Sequence, residues 1–220
     1  MEQNKLWQGI DLKKITEAEL KNLNGQLKQV PPSQIIERVL AGTIRPVVTT
    51  NFRPYEVAIL HACSQVDPNI KVVWCDTGYN TPDTYLHARE VIAMLQLNVK
   101  LYIPNKTAAY RDAYFKGIPE VDSPLHEEFT RQVKLEPFQR AMEQEKPDVW
   151  FTNLRKGQTS FRDSIDILSY SKDGLLKVSP FYHWTDEDLN GYLKEHGLPN
   201  EFKYFDPTKA LANRECGLHA

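Results

Sequence analysis

From residue 46 onward the chain alternates short apolar runs with longer stretches of helical period. Val47-Val48-Thr49-Thr50, Lys71 to Cys75, Asn98 to Ile103 and Asp148 to Asn153 predict four strands. Between them, Pro54 to Gln65 carries Val57, Ala58, Ile59, Leu60 and Ala62, a run too continuous for an exposed helix and therefore predicted to be largely buried. Pro82 to Leu97 predicts a helix with proline in its first turn. The segment before the fourth strand is charge-rich and largely helical, ending in Pro137 to Glu145. Short strands separated by helices imply βαβ units: an α/β fold whose mostly parallel sheet has helices on both faces.

The flanks differ. Glu17 to Lys28 places Leu20, Leu23 and Leu27 on one stripe, and after Pro31-Pro32 a second short helix is expected over Ser33 to Leu40. Residues 1–43 thus predict a helical cap on the core. Past Ser164, Ile167 to Val178 predicts a hairpin turning at Lys172-Asp173-Gly174. Thr185 to His196 predicts a helix, with Asp188 completing a capping box on Thr185 and Gly197 placed to end it. Residues 199–220 form an aromatic and charged tail. At 220 residues, a single domain with these attachments is expected.

Composition narrows the classes. Twenty-seven Lys+Arg against 29 Asp+Glu leave a net charge of −2, so an anion must be met by a local cluster, and nucleic acid is not an expected partner. No apolar run approaches a membrane span, and Met1 to Leu20 is polar and of mixed charge, unlike a secretory signal. Three cysteines, at 63, 75 and 216, show no C-x-x-C spacing, which points to a reducing, cytoplasmic setting without a metal site or an iron–sulfur cluster. Cys63 and Cys75 lie in apolar segments and are expected to be core residues.

Ligands of such sheets sit beyond the carboxyl ends of the strands. Three segments lie there. Arg155-Lys156-Gly157-Gln158-Thr159-Ser160-Phe161-Arg162 places three cations, an amide and two hydroxyls within eight residues, a set suited to phosphate or sulfate oxygens. Thr49-Thr50-Asn51-Phe52 joins a strand to a helix start, where backbone N–H groups meet anions, but lacks the glycines of a phosphate cradle. Asp76-Thr77-Gly78-Tyr79 fits either a plain turn or a ribose or phosphate contact. At the far end, Arg214 and His219 flank Cys216 and would favour its thiolate; on physics alone Cys216 is either a nucleophile or an incidental thiol.

Taken in order, Cys75-Asp76-Thr77-Gly78-Tyr79, Lys134-Leu135-Glu136-Pro137, Trp150-Phe151-Thr152-Asn153-Leu154-Arg155-Lys156-Gly157-Gln158-Thr159 and Arg214-Glu215-Cys216-Gly217-Leu218-His219 resemble the 3′-phosphoadenylylsulfate (PAPS) reductase family. The resemblance runs from about Pro46 to the C-terminus. It implies an adenine-nucleotide-hydrolase-like fold in which Cys216 attacks the sulfur of PAPS. An S-sulfocysteine forms and adenosine 3′,5′-bisphosphate leaves. Reduced thioredoxin or glutaredoxin then releases sulfite. Arg155, Lys156 and Arg162 would neutralise sulfonate and phosphate oxygens, Gln158 and Thr159 would orient them, and Thr49, Thr50, Asn51, Phe52, Asp76, Thr77, Gly78, Arg214 and His219 would complete the substrate contacts. The resemblance also implies a homodimer and a tail, residues 199–220, that moves. Phe129-Thr130 stands where adenylylsulfate (APS) reductases carry a cysteine pair, which favours the cluster-free, PAPS-using branch.

Two segments depart from the family pattern. Thr49 to Pro54 replaces a serine-rich stretch followed by Phe-Gly, and Leu198 to Asn213 is shorter than the usual connection to the tail. The alternatives are an ATP pyrophosphatase-type adenylating sulfur-transfer enzyme, whose Ser-Gly-Gly-x-Asp-Ser loop has no counterpart here, and a nucleotide-binding module without turnover.

Overall fold

A computed structural model describes residues 15–209. Cys216, Arg214 and His219, and the first part of the expected cap, lie outside the described residues. The order of elements is α1 (Glu17–Leu27), α2 (Pro32–Leu40), β1 (Pro46–Thr50), α3 (Glu56–Val66), β2 (Lys71–Cys75), α4 (Pro82–Leu95), β3 (Asn98–Tyr102), α5 (Ala108–Phe115) and α6 (Pro124–Thr130). A π-helical turn (Arg131–Leu135) leads into α7 (Glu136–Glu145), then β4 (Val149–Phe151), α8 (Ser160–Asp163), β5 (Leu168–Tyr170), β6 (Leu176–Val178) and α9 (Asp186–Glu195).

The strands form one sheet in the order β3-β2-β1-β4-β6-β5. All neighbours are parallel except β5, which pairs antiparallel with β6 to close the expected hairpin. The turn between them uses Gly174 at φ 76°, a left-handed conformation that glycine adopts without steric cost. From β1 the chain steps through β2 to β3, then returns to the other side of β1 with β4. The switch point of the sheet therefore lies between β1 and β4.

Period-two alternation sends the strand side chains to two separate cores. Val48, Val72, Trp74, Val149 and Phe151 pack with α1, α2, α3, α4 and α9, whereas Val47, Val73, Cys75, Tyr102 and Trp150 pack with Ala141 of α7. Both faces are covered, and the sheet is mostly parallel, as the hydrophobic pattern implies. α3 is buried along most of its length.

Local chemistry explains the helix ends. Thr16 and Thr185 make reciprocal capping boxes with Glu19 and Asp188, and Thr81, Thr107, Ser123 and Thr159 cap α4, α5, α6 and α8 through their hydroxyls. The cap helices are tied to the sheet as well as packed on it. Asn24 of α1 donates from Nδ2 to the Leu168 carbonyl (2.9 Å) and accepts the Leu168 N–H at Oδ1 (2.8 Å), pairing with edge strand β5 as a further strand would. α3 differs from expectation at its start: Pro54 does not open the helix. Tyr55, at φ 68°, breaks the helical path, and its N–H is taken by the Asn200 side chain at 2.9 Å.

Candidate active site

A cleft opens at the switch point, beyond the carboxyl ends of β1, β2 and β4. Thr49, Thr50, Asn51, Arg53 and Glu56 line one side, Thr152, Asn153 and Leu154 the other, with Cys75, Lys134, Phe138, Trp150 and Arg162 around the floor and walls. Tyr204, Asp206 and Lys209, from the segment after α9, complete it. The cleft encloses about 700 Å³ up to its open mouth. Tyr204 and Lys209, which line it, are half-exposed.

The β1–α3 loop solves its lack of glycine with a carboxylate. Phe52 and Tyr55 take positive φ (54° and 68°), an arrangement that turns backbone N–H groups inward. Glu56 Oε2 accepts the Asn51 N–H (2.7 Å), the Thr50 hydroxyl (2.9 Å) and, at 3.4 Å, the Arg53 N–H. Its Oε1 accepts Arg53 Nε at 2.6 Å. A glutamate in the first turn of a helix also meets the favourable end of the helix dipole. The protein's own carboxylate thus takes the inward backbone N–H groups of Asn51 and Arg53. Thr49 accepts the indole N–H of Trp150 at 2.9 Å, and Phe52 leaves the cleft to pack edge-on against Trp74 in the core.

Lys134 reaches the cleft because of a local irregularity in the helix. Pro137 has no N–H to donate, and the Glu136 N–H bonds to the Arg131 carbonyl five residues back, which makes the π turn. Val133 and Lys134 both turn inward. Lys134 Nζ lies 2.5 Å from Asp206 Oδ2, with side chains only 4% and 9% exposed. Burial alone would raise the Asp206 carboxyl, but the Lys134 ammonium and the hydrogen bonds from Lys134 and Thr208 hold it below its ordinary value. The Cys75 thiol is pushed up to about 12 by burial, with Lys134 and Arg140 opposing in part.

The basic loop after β4 is divided. Arg162 lines the cleft, its Nη1 donating to Gln158 Oε1, which also accepts the Arg155 N–H at 3.2 Å. Arg155, Lys156, Gly157 and Gln158 border a neighbouring depression with Tyr182, His183 and Trp184. There Arg155 pairs with Asp186 at 2.6 Å and lies over the Tyr55 ring at 5.3 Å. Thr159 caps α8, through which Arg162 is placed. Asp76 accepts Gly78 N–H, Asn80 Nδ2 and Tyr85 OH, each at 2.9 Å, so it organises the β2–α4 loop. The Thr77 carbonyl accepts from buried Arg111 (3.0 Å), and Gly78 at φ 79° leaves room for that guanidinium, which a Cβ would approach to 3.3 Å.

Residues 45–205 match the family model of the phosphoadenosine phosphosulfate reductase domain. The chain belongs to the PAPS reductase family. A phosphoadenosine 5′-phosphosulfate reductase from Alkalilimnicola ehrlichii is 31% identical over 223 aligned positions, covering 90% of this chain and 91% of that protein. One from Xylella fastidiosa strain 9a5c is 34% identical over 158 positions; the match takes in 72% of this chain but 66% of the relative, just under two thirds of its length. In fold, the chain resembles a Candida auris PAPS reductase crystallised as a phosphate complex, with a TM-score of 0.74 at 21% identity over 85% of this chain and 90% of that one. It also resembles an NH3-dependent NAD synthetase from Campylobacter jejuni, with a TM-score of 0.51 at 12% identity over 86% and 75%. That likeness bears out the adenine-nucleotide-hydrolase-like fold.

Of the residues singled out by sequence, the cleft brings together Thr49, Thr50, Asn51 and Arg162. Phe52, Asp76, Thr77 and Gly78 stand outside its lining, and Arg155, Lys156 and Gln158 line the adjoining depression. Sequence reasoning gave no site role to Arg53, Glu56, Lys134, Trp150 or Asp206, although Lys134 and Trp150 stand in the motifs that carry the resemblance. Lys134 lies in a recognised family motif, but its inward aim depends on the π turn. Asp206 carries no local signal, because its partner is distant in sequence.

Proposed function

We propose that this family member reduces PAPS to sulfite and adenosine 3′,5′-bisphosphate, in the manner of assimilatory sulfate reduction. Cys216 thiolate attacks the sulfonate sulfur, an S–S bond forms as the S–O bond to phosphate breaks, and adenosine 3′,5′-bisphosphate leaves with the electron pair. A thiolate of reduced thioredoxin or glutaredoxin then attacks Cys216 Sγ. Sulfite departs, and the second thiol of that protein resolves the mixed disulfide, restoring Cys216.

One observation carries the proposal: a cleft at the switch point of a PAPS reductase domain has Lys134 and Arg162 in its lining, with hydroxyls from the ends of β1 and β4. Two anions meet in the first step, and cations held in a partly dry cleft lower that barrier more than they would in water. Lys134 and Arg162 take that role, Gln158 orients Arg162, and Thr49, Thr50 and Asn51 contact the nucleotide. Arg155 and Lys156 extend the positive edge toward the neighbouring depression, with Arg214 and His219 approaching alongside Cys216. Glu56 speaks against an ATP pyrophosphatase-type enzyme, since its carboxylate fills the loop that would hold pyrophosphate.

A single-turnover assay tests this. Reduced protein is incubated with sulfur-labelled PAPS, with APS and with ATP. PAPS is expected to add about 80 daltons, the mass of SO3, to Cys216, and Cys216→Ser to abolish it. Labelling that survives the substitution, or pyrophosphate released from ATP, overturns the proposal.

A further inference from the structure

The segment between α9 and the final cysteine does not hang free of the cleft. Asn200 Oδ1 accepts the Tyr55 N–H, Glu201 Oε2 accepts the Thr84 hydroxyl at 3.0 Å, and Lys203 lies 3.2 Å from Asp83. The segment thus runs from the start of α3, past the start of α4, to the π turn. Its tie to the π turn is deep. Asp206 Oδ2 meets Lys134 Nζ, while Asp206 Oδ1 accepts both the N–H (3.0 Å) and the hydroxyl (2.7 Å) of Thr208. The Lys209 N–H returns to the Asp206 carbonyl at 3.0 Å, so residues 206–209 form one turn pinned to the cleft wall.

We propose that Asp206 is a positioning residue: its buried ion pair with Lys134 fixes both the ammonium in the cleft and the point from which the chain leads to Cys216. This inference rests on the function proposed above.

Burial separates an anchor from a removable plug. Thr208 is 2% exposed and the Lys134 and Asp206 side chains are nearly as deep, whereas Tyr204 and Lys209 are half-exposed. A substrate that expelled Asp206 would break a buried pair and forfeit roughly 10²–10³-fold in affinity. Moving the rim alone avoids that loss. The anchor also limits reach. Cys216 follows Asp206 by ten residues, a span of at most about 36 Å. Without the pair, the next ion pair back along the chain is Lys203 with Asp83, thirteen residues from Cys216, so the upper limit on reach rises to about 47 Å and the volume within it about twofold. Loss of Lys134 orientation adds to that dilution, because a misplaced charge no longer faces the developing leaving group.

The experiment measures the rate of Cys216 sulfonation by saturating PAPS, in single turnover by mass spectrometry, beside the affinity for adenosine 3′,5′-bisphosphate. Asp206→Asn, which keeps shape and removes charge, is expected to slow sulfonation about tenfold or more while nucleotide affinity changes less than threefold. Asp206→Glu restores part of the rate. Should Asp206→Asn fail to fold, Thr208→Val removes the hydroxyl that steadies Asp206 and keeps the ion pair; a loss of about threefold in rate at unchanged affinity is expected. An unchanged rate in a folded variant, or rate and affinity falling together, overturns the assignment. A wild-type protein that PAPS does not sulfonate would instead overturn the proposed function, so the two failures are distinct.

Discussion

Replacing Glu56 by alanine tests whether a carboxylate has taken the place of a bound anion in the β1–α3 loop. The substitution removes the acceptor of the Asn51 N–H and the Thr50 hydroxyl, at 2.7 and 2.9 Å, and the partner of Arg53. A hydrogen bond to a charged group is worth about 1.5–3 kcal/mol, so the two short ones set a loss of about 3–6 kcal/mol. The Arg53 pair adds little, because its arginine is 23% exposed. Water entering from the cleft can satisfy part of what is exposed, which favours the lower end, about 3 kcal/mol. For a chain of this size that corresponds to a drop in melting temperature of about 6–12 °C. Urea unfolding at pH 7 measures it. The decisive step is adding inorganic phosphate. If Glu56 fills an anion cradle, phosphate must stabilise Glu56→Ala more than the parent, by about 1.4 kcal/mol at ten times its dissociation constant. A loss below about 1 kcal/mol, or a phosphate effect no larger in the variant, would refute the reasoning.

Asn24→Ala should cost about 2–4 kcal/mol in urea unfolding, since it orphans both backbone groups of Leu168 at a buried sheet edge; a cost under 1 kcal/mol would mean that water serves the edge equally well. In the native protein, Cys63 and Cys75 should resist iodoacetamide at pH 8 and react once urea is added. Burial pushes both thiols up, Cys75 to about 12, and labelling of either at the speed of a free thiol would contradict this. His61 has Nδ1 2.8 Å from the Tyr192 hydroxyl and its ring 4.7 Å from that of His196. Burial, and then His196, hold its folded pKa below the ordinary 6.5, so the unfolded chain binds more protons and stability falls as pH drops through about 6.5. His61→Gln should flatten that slope between pH 7 and 5, and unfolding midpoints that track the parent would remove His61 from the effect.

The sheet is legible because its inner strands β1, β2 and β4 are short, apolar and mostly buried, and because each crossover helix is long enough to declare its period. The hairpin and α9 were legible for a more local reason, turn and cap residues at fixed offsets. What escaped shows where local rules stop. Pro54 announces a helix start, yet Tyr55 breaks it, since the loop's path is dictated by the Glu56 carboxylate and by Asn200 from the far end of the chain. The charge-rich loop after β4 reads as a single cluster, but Arg155 and Arg162 part company because Asp186 draws one and the α8 turn places the other. Lys134 was visible only as part of a motif. Its role in the cleft needs a π turn that no residue spacing encodes.

A chain of net charge −2 has no global field to attract a multiply charged donor, so its anion site depends on arrangement. The ion pairs show how. Arg53 is held by Glu56, Arg155 by Asp186 and Lys134 by Asp206, at 2.5–2.6 Å in each case. These pairs fix the cations in place before any ligand arrives, at the expense of part of their charge. Pairing weakens the attraction for any charge, but it also fixes direction: under the proposed mechanism, negative charge growing on the leaving phosphate meets dipoles that need no reorganisation to stabilise it. On this argument the cleft gains rate rather than grip from Glu56 and Asp206. Under the proposed mechanism, removing them should tighten or preserve binding of simple anions while slowing transfer to Cys216, a divergence that a site built for affinity alone would not show.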